Sequence, residues 1–184
     1  SDKVLGQPGV QGIALRTNKP GVVRKVYGLD DFNDPYYRFI TVIQQHQDNP
    51  FFPRIYKHKV YKDKPLKHDR GSYFMTGVVM MEKLVPLNNR KLDERTFGML
   101  FGNLGFEEVW DSVDLYGLFN NRSKMQEAIK KTTNEHFAAA LQVLVDMGRN
   151  AFDLHAGNWM VRLTSTGPQL VILDPMFGED VTFF

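Results

Sequence analysis

Short apolar runs broken by glycine and proline fill the first part of the chain, and apolar positions at helical spacing fill the rest. Val4–Gly6, Val10–Leu15 and Val22–Tyr27 read as strands, because brief apolar stretches bounded by turn residues suit extended backbone. Asp34-Pro35 predicts a helix start, with the aspartate as cap and proline at the first helical position. That helix should run to about Gln47 with Phe39, Ile40 and Ile43 inward, and Asn49-Pro50 should stop it. Ile55–Tyr61 and Tyr73–Glu82 are two further strands joined by a basic segment. Residues 1 to about 85 therefore predict five strands with one helix after the third.

From Leu92 the period changes. Leu92–Leu104 and Phe106–Phe119 predict helices, although Gly98, Gly102 and Gly117 weaken both. Ser123–Gln126 and Thr132–Glu135 each fit a capping box and predict two more helix starts. Phe137, Leu141, Leu144, Val145 and Gly148 form a stripe for burial on the last helix. Trp159–Leu163 and Leu170–Leu173, with a turn over Thr164–Pro168, predict a hairpin. Its second strand is apolar on both faces and should be buried.

The 184 residues suffice for one domain or two joined lobes with a proper core. Hydrophobic residues at 42% and charged residues at 24% give an ordinary globular composition, and a net charge of +2 says nothing about partners. The absence of cysteine excludes a disulfide framework and a thiolate metal site. No apolar run is long enough to span a bilayer and no signal-peptide pattern opens the chain, so a soluble cytoplasmic protein is expected. The methionines are scattered, as core filling would have them, and Trp110 and Trp159 read as packing residues. Between Arg54 and Arg70 stand seven Lys/Arg against Asp63 and Asp69. Such a cluster is either a solvated loop or hairpin tip, or a docking patch for an acidic partner or nucleic acid.

The candidate chemistry sits at the two ends of the terminal hairpin. Phe152-Asp153-Leu154-His155-Ala156-Gly157-Asn158 precedes its first strand and Asp174-Pro175 follows its second. Hairpin geometry should bring Asp153, Asn158 and Asp174 to one spot, where two carboxylates and an amide oxygen suit Mg²⁺ bridging phosphate oxygens. His155 reads as a ligand for backbone rather than for metal.

Asp153-x-x-x-x-Asn158, a hairpin and then Asp174 after a buried strand resembles the kinase catalytic loop and metal-binding aspartate. Asp-Leu-His-Ala-Gly-Asn is similar to the version in aminoglycoside and choline phosphotransferases. The run 152–158 with Ile172-Leu173-Asp174-Pro175 resembles more closely the early serine/threonine kinase family of short-tailed coliphages, a family associated with shut-off of host transcription. The resemblance implies an α+β, two-lobed, protein-kinase-like fold with a reduced helical lobe. Residues 1–85 would be the β-rich nucleotide-binding lobe and 86–184 the helical lobe with the catalytic loop and terminal hairpin. It also implies ATP and Mg²⁺ as cofactors: Asp153 as catalytic base, Asn158 and Asp174 on the metal, and Lys25 on the α and β phosphates. Gly6, Gly9 and Gly12 would form the phosphate lid, and Glu82 and Leu84 would belong to the adenine-contacting hinge.

Two features depart from that pattern. The glycines are spaced G-x-x-G-x-x-G, and no glutamate lies between Val26 and Met81 to pair with Lys25. Ten residues follow Asp174, too few for the usual activation segment and substrate platform. The expectation is either a fragment of a longer protein or a truncated fold, with substrate recognition unlike that of ordinary protein kinases in both cases. The expectation is a Mg·ATP-dependent serine/threonine kinase of a phage, in the host cytoplasm, acting on itself or on host proteins, without membrane association. The rival expectations are a pseudokinase that inhibits a host protein by contact, and a small-molecule phosphotransferase whose acceptor pocket uses Glu107, Glu108, Asp111 and Asp114.

Overall fold

The structure, a computed structural model, describes residues 12–68, 71–107 and 115–175, and the chain packs into two compact units. It is an α+β protein with antiparallel sheets. The first unit takes the chain through Gln47 and then Arg54–Lys83, whereas Asp48–Pro53 packs with everything from Leu84 onward.

In the first unit β1 (Gly12–Arg16), β2 (Val22–Leu29), β6 (Met75–Glu82) and β3 (Ile55–Tyr61) form one antiparallel sheet in that spatial order. Along β6 buried and half-buried residues alternate, so one face of the sheet is its core side and carries Met75, Gly77, Val79 and Met81. Helix α1 (Pro35–Ile43) contributes Tyr36, Phe39, Ile40 and Ile43 to the same core. Its cap is the expected one: Asp34 accepts the Tyr37 N–H at 2.9 Å, with Pro35 at the first turn. The helix ends at Ile43 rather than near Gln47, because the amides of Gln45 and His46 reach back only three residues, to Val42 and Ile43. Gly77 is required where it stands, since a Cβ there would run into the ring of Tyr27. The basic segment folds into an unpredicted hairpin, β4 (Leu66–His68) with β5 (Gly71–Tyr73). The predicted strand from Val4 to Gly6, and Gly6 and Gly9 with it, lie outside the described residues.

On the core side of this sheet His58 faces two phenols. Its Nε2 is 2.6 Å from the Tyr27 hydroxyl, and its ring centroid is 5.3 Å from that of Tyr37. Burial raises the Tyr27 phenol far above its ordinary value, with Asp34 and Tyr37 adding to the effect, so it stays protonated beside the imidazole. Burial also lowers the His58 pKa from 6.5. The unfolded chain therefore takes up a proton at a higher pH than the folded one. The stability tied to neutral His58 is present above pH 6.5 and is lost as pH falls from there through the lowered folded value. Urea unfolding of the wild type should show a midpoint that drops between neutral pH and about pH 5, with a smaller drop in His58→Gln. Equal drops in both would remove His58 from this role.

The second unit contains β7 (Val85–Pro86), α2 (Glu94–Gly102), α3 (Leu115–Phe119), α4 (Arg122–Lys131), α5 (Glu135–Asp146), β8 (Trp159–Thr164) and β9 (Gly167–Ile172). Strands β7, β8 and β9 form an antiparallel sheet, with proline-bearing β7 at its edge. Phe137, Leu141, Leu144 and Val145 of α5 are buried as the stripe expects, and Ala140 joins them. Gly148 is instead exposed and stands past the helix end, in the left-handed conformation (φ 82°) that stops it. The capping-box expectation needs correcting at both helices. Asn121 caps α4 by accepting the Lys124 amide at 2.9 Å, and Asn134 caps α5 by accepting the Phe137 amide at 3.1 Å. Thr132 instead closes α4, and its hydroxyl donates to the Leu104 carbonyl at 2.6 Å. Phe106 and Glu107 are not helical; the described helix of that region is α3, and residues 108–114, Trp110 among them, lie outside the described residues. The segment Asp48–Pro53 is fastened within this unit. Phe51 and Phe52 are fully buried, and Asn49 donates to the His136 carbonyl at 2.8 Å. The Arg162 guanidinium reaches the carbonyls of Pro50 and Phe52 at 2.9 and 3.1 Å. Among the described residues no helix is long and apolar enough to cross a membrane.

Candidate functional site

The loop between α5 and β8 is held open by alternation. Phe152 and Leu154 are fully buried, and Asp153 between them keeps 28% of its side chain exposed. Beneath the loop Trp159 is 1% exposed and its indole N–H donates to the Leu154 carbonyl at 3.0 Å. A single turn of 3₁₀ helix, Ala156–Asn158, then leads into β8. Two backbone bonds fasten the loop to the far end of the hairpin. The Asp153 amide donates to the Pro175 carbonyl at 2.8 Å, and the Leu173 amide donates to the Asn158 carbonyl at 2.8 Å. Asp153, Asn158 and Asp174 are thus brought to one edge of the second unit, as the hairpin argument expects.

Asn158 has its amide nitrogen 2.5 Å from the Asp153 carbonyl, which fixes the side chain and leaves its oxygen end for a cation. The His155 Nδ1 accepts the Gly157 N–H at 3.0 Å, so the neutral ring carries its proton on Nε2. That nitrogen is 3.8 Å from Asp153 Oδ1 and 3.2 Å from Asn158 Nδ2. His155 is therefore a brace for the loop backbone, and its Nε2 lies beyond hydrogen-bond reach of the Asp153 carboxylate. Two carboxylates and one amide oxygen fit a hard divalent cation that brings further oxygens with it, as Mg²⁺ does with nucleotide phosphates. Among the described residues no group of three or more His, Asp or Glu is arranged to hold a metal alone. A concavity of about 380 Å³ in this unit is lined by Met99, Asn103, Arg162 and Gln169 and contains none of the three loop residues.

The remaining candidates lie apart in sequence. In the first unit Lys25 stands in the middle of β2, between Ala14 of β1 and Val79 of β6. Its ammonium is 3.7 Å from the ring centroid of Tyr36, a buried residue of α1 whose ring meets Tyr27 edge-on at 4.9 Å. Sequence patterns give no hint of this pair, because a ring beneath a lysine belongs to no motif. Gly12 opens β1. Glu82 ends β6 with its amide on the Arg54 carbonyl and its carboxylate on the Arg54 amide, both at 3.0 Å. The Lys83 amide donates to the Gly21 carbonyl at 2.8 Å, and the chain passes into the second unit at Leu84, which is 7% exposed. Of the acids considered for an acceptor pocket, Glu107 is exposed, and Glu108, Asp111 and Asp114 lie outside the described residues.

No protein-family model matches the chain, and no curated protein matches it. The class defined by fold and site is an α+β protein whose carboxylate- and amide-bearing loop is tied to the end of a β-hairpin.

Proposed function

We propose that the chain is a Mg·ATP-dependent serine/threonine phosphotransferase of kinase-like, two-lobed organisation, acting on itself or on host proteins during phage infection. The observation that carries this reading is the closure of the loop. The Asp153 amide on the Pro175 carbonyl and the Asn158 amide on the Asp153 carbonyl hold residues 153, 158 and 175 at one edge of the second unit, which supports a shared role for Asp153, Asn158 and Asp174. In this reading the Asp153 carboxylate orients the acceptor hydroxyl and takes its proton. The Asn158 oxygen and Asp174 hold Mg²⁺, which would neutralise charge on the transferring phosphate. Lys25 is the phosphate lysine, and residues 82–84 are the adenine-contacting segment. Such a site works by positioning and electrostatics, because phosphoryl transfer asks little covalent chemistry of the protein.

A second reading, a pseudokinase that binds a host protein, is favoured by Lys25. Its ammonium rests on the Tyr36 ring, and no glutamate is present between Val26 and Met81.

Purified protein given Mg²⁺ and γ-labelled ATP is expected to become labelled or to label a mixed protein acceptor. Saturating Mg·ATP should raise its melting temperature by roughly 5–10 °C, whereas Mg²⁺ alone should do little. Stabilisation without label supports the pseudokinase. Neither stabilisation nor label ends both nucleotide readings.

A further inference from the structure

The basic segment carries a second proposal, independent of phosphate transfer. Of its seven Lys/Arg, Arg54 is committed inward, its guanidinium on the Gln47 carbonyl, and Arg70 lies outside the described residues. Lys57, Lys59, Lys62, Lys64 and Lys67 are all exposed, and among the described residues none of them joins an ion pair. Asp63 is the one carboxylate between Lys57 and Lys67.

Three of these ammoniums lie on rings and none is paired with an acid among the described residues. Lys59 and Lys64 both lie on Tyr61, at 4.8 and 5.0 Å from its centroid, and Lys62 lies 5.4 Å from that of Phe32. Strand β3 is the outermost of its sheet among the described residues, and its alternation sends His58 to the core side and Lys57, Lys59 and Tyr61 to the other. On that outer side Lys57 stands opposite Met80 and Lys59 opposite Val78, both half-buried. An aromatic residue stands near each end of the row. Tyr56, 58% exposed, sits at the register shift that opens β3. Phe74, 75% exposed, follows β5 where the Thr76 hydroxyl is tied to the Lys64 carbonyl. The strand between Tyr56 and Tyr61 covers about 17 Å.

Like charges held together on one ring repel each other, and a polyanion relieves that repulsion. Rings exposed this far add nothing for an acidic peptide, but unstacked bases have π-faces that lie flat on them. Duplex bases are stacked and out of reach of such rings. We infer that the outer side of β3 with the β4–β5 hairpin is a binding surface for single-stranded nucleic acid, lysines tracking the phosphates and Tyr56 and Phe74 stacking on bases.

The test is fluorescence anisotropy on the full chain with a labelled short oligouridylate. A duplex of equal length and a poly-glutamate peptide of equal charge serve as competitors. Five lysine–phosphate contacts predict a log–log salt slope of about −3.5, and Lys59→Ala/Lys64→Ala should reduce its magnitude by about 1.4. Tyr56→Ala and Phe74→Ala should each weaken binding by roughly five- to hundredfold without changing the slope. Lys130→Ala in α4 should change nothing. No binding at low salt would leave the lysines as a device that keeps an edge strand from pairing, and would overturn the proposal. Equal competition by poly-glutamate, or indifference to the aromatic variants, would overturn it in favour of an acidic protein partner.

Discussion

Asp153→Ala is expected to slow phosphate transfer by roughly 10²–10⁴-fold while leaving Mg·ATP binding and folding nearly intact. The backbone bond that ties the loop to Pro175 comes from the amide of residue 153, so alanine keeps it. The carbonyl that accepts from Asn158 is likewise a backbone group, so the amide clamp survives. What disappears is a carboxylate that is 28% exposed and 3.8 Å from His155 Nε2, beyond hydrogen-bond reach, which limits the effect on stability. The loss should therefore fall on kcat, with the thermal shift by Mg·ATP preserved. Asp174→Ala should behave differently, losing the thermal shift and the transfer together, because it removes a charge from the proposed cation site. Single-turnover transfer and Mg·ATP melting curves on the same preparations separate the two patterns. An Asp153→Ala protein that transfers at the wild-type rate would deny Asp153 the role of base. Both variants losing the thermal shift alike would mean that Asp153 holds the cation instead.

The parts of this architecture that the sequence shows are those where one residue type has one local meaning. Asp34-Pro35 starts a helix because an aspartate accepts the Tyr37 amide and proline has no amide of its own to satisfy. The terminal hairpin is legible because Leu170, Val171 and Ile172 are all buried, and that run has no other use. Convergence of Asp153, Asn158 and Asp174 then follows from the hairpin, since strands that pair from Trp159↔Ile172 to Thr164↔Gly167 have adjacent open ends.

The parts that do not show are set by partners distant in sequence. Asn121 and Asn134 cap helices that also offer Ser123 and Thr132 in capping-box spacing. The choice falls to the asparagines because Thr132 is already bound to Leu104 and Asn134 also reaches the Asn103 carbonyl. Asp48–Pro53 interrupts a stretch that otherwise belongs to the first unit, and nothing local marks its assignment to the second. The cause is Arg162, more than a hundred residues on, which takes two of its carbonyls. Tyr36 is not among the inward residues that the sequence marks on α1, and only the folded arrangement places the Lys25 ammonium over its ring. The hairpin β4–β5 has Leu66 and Tyr73 as its apolar pair amid lysines, too little alternation to mark strands.

Phe137→Ala should destabilise the second unit by about 3–5 kcal/mol, the largest stability effect expected of a single truncation here. Phe137 is fully buried, one turn into α5. Its ring centroid lies 4.9 Å from Phe51, 5.6 Å from Phe119, 6.1 Å from Phe106 and 6.5 Å from Trp159. Phe106 and Phe119 meet it edge-on, an arrangement that adds to simple burial. Removing the ring leaves a void walled by four other rigid aromatic residues, which cannot collapse as flexible aliphatic chains would. The consequence reaches the candidate site, because Trp159 directly follows Asn158 and holds the Leu154 carbonyl of the loop. Denaturant unfolding should show the lowered midpoint with an unchanged slope. At temperatures where the variant is still folded, amide exchange at Trp159 and Leu173 should rise before exchange in the first unit does. A loss below about 1.5 kcal/mol would show that the four rings repack, and protection unchanged at Leu173 would uncouple the aromatic cluster from the loop.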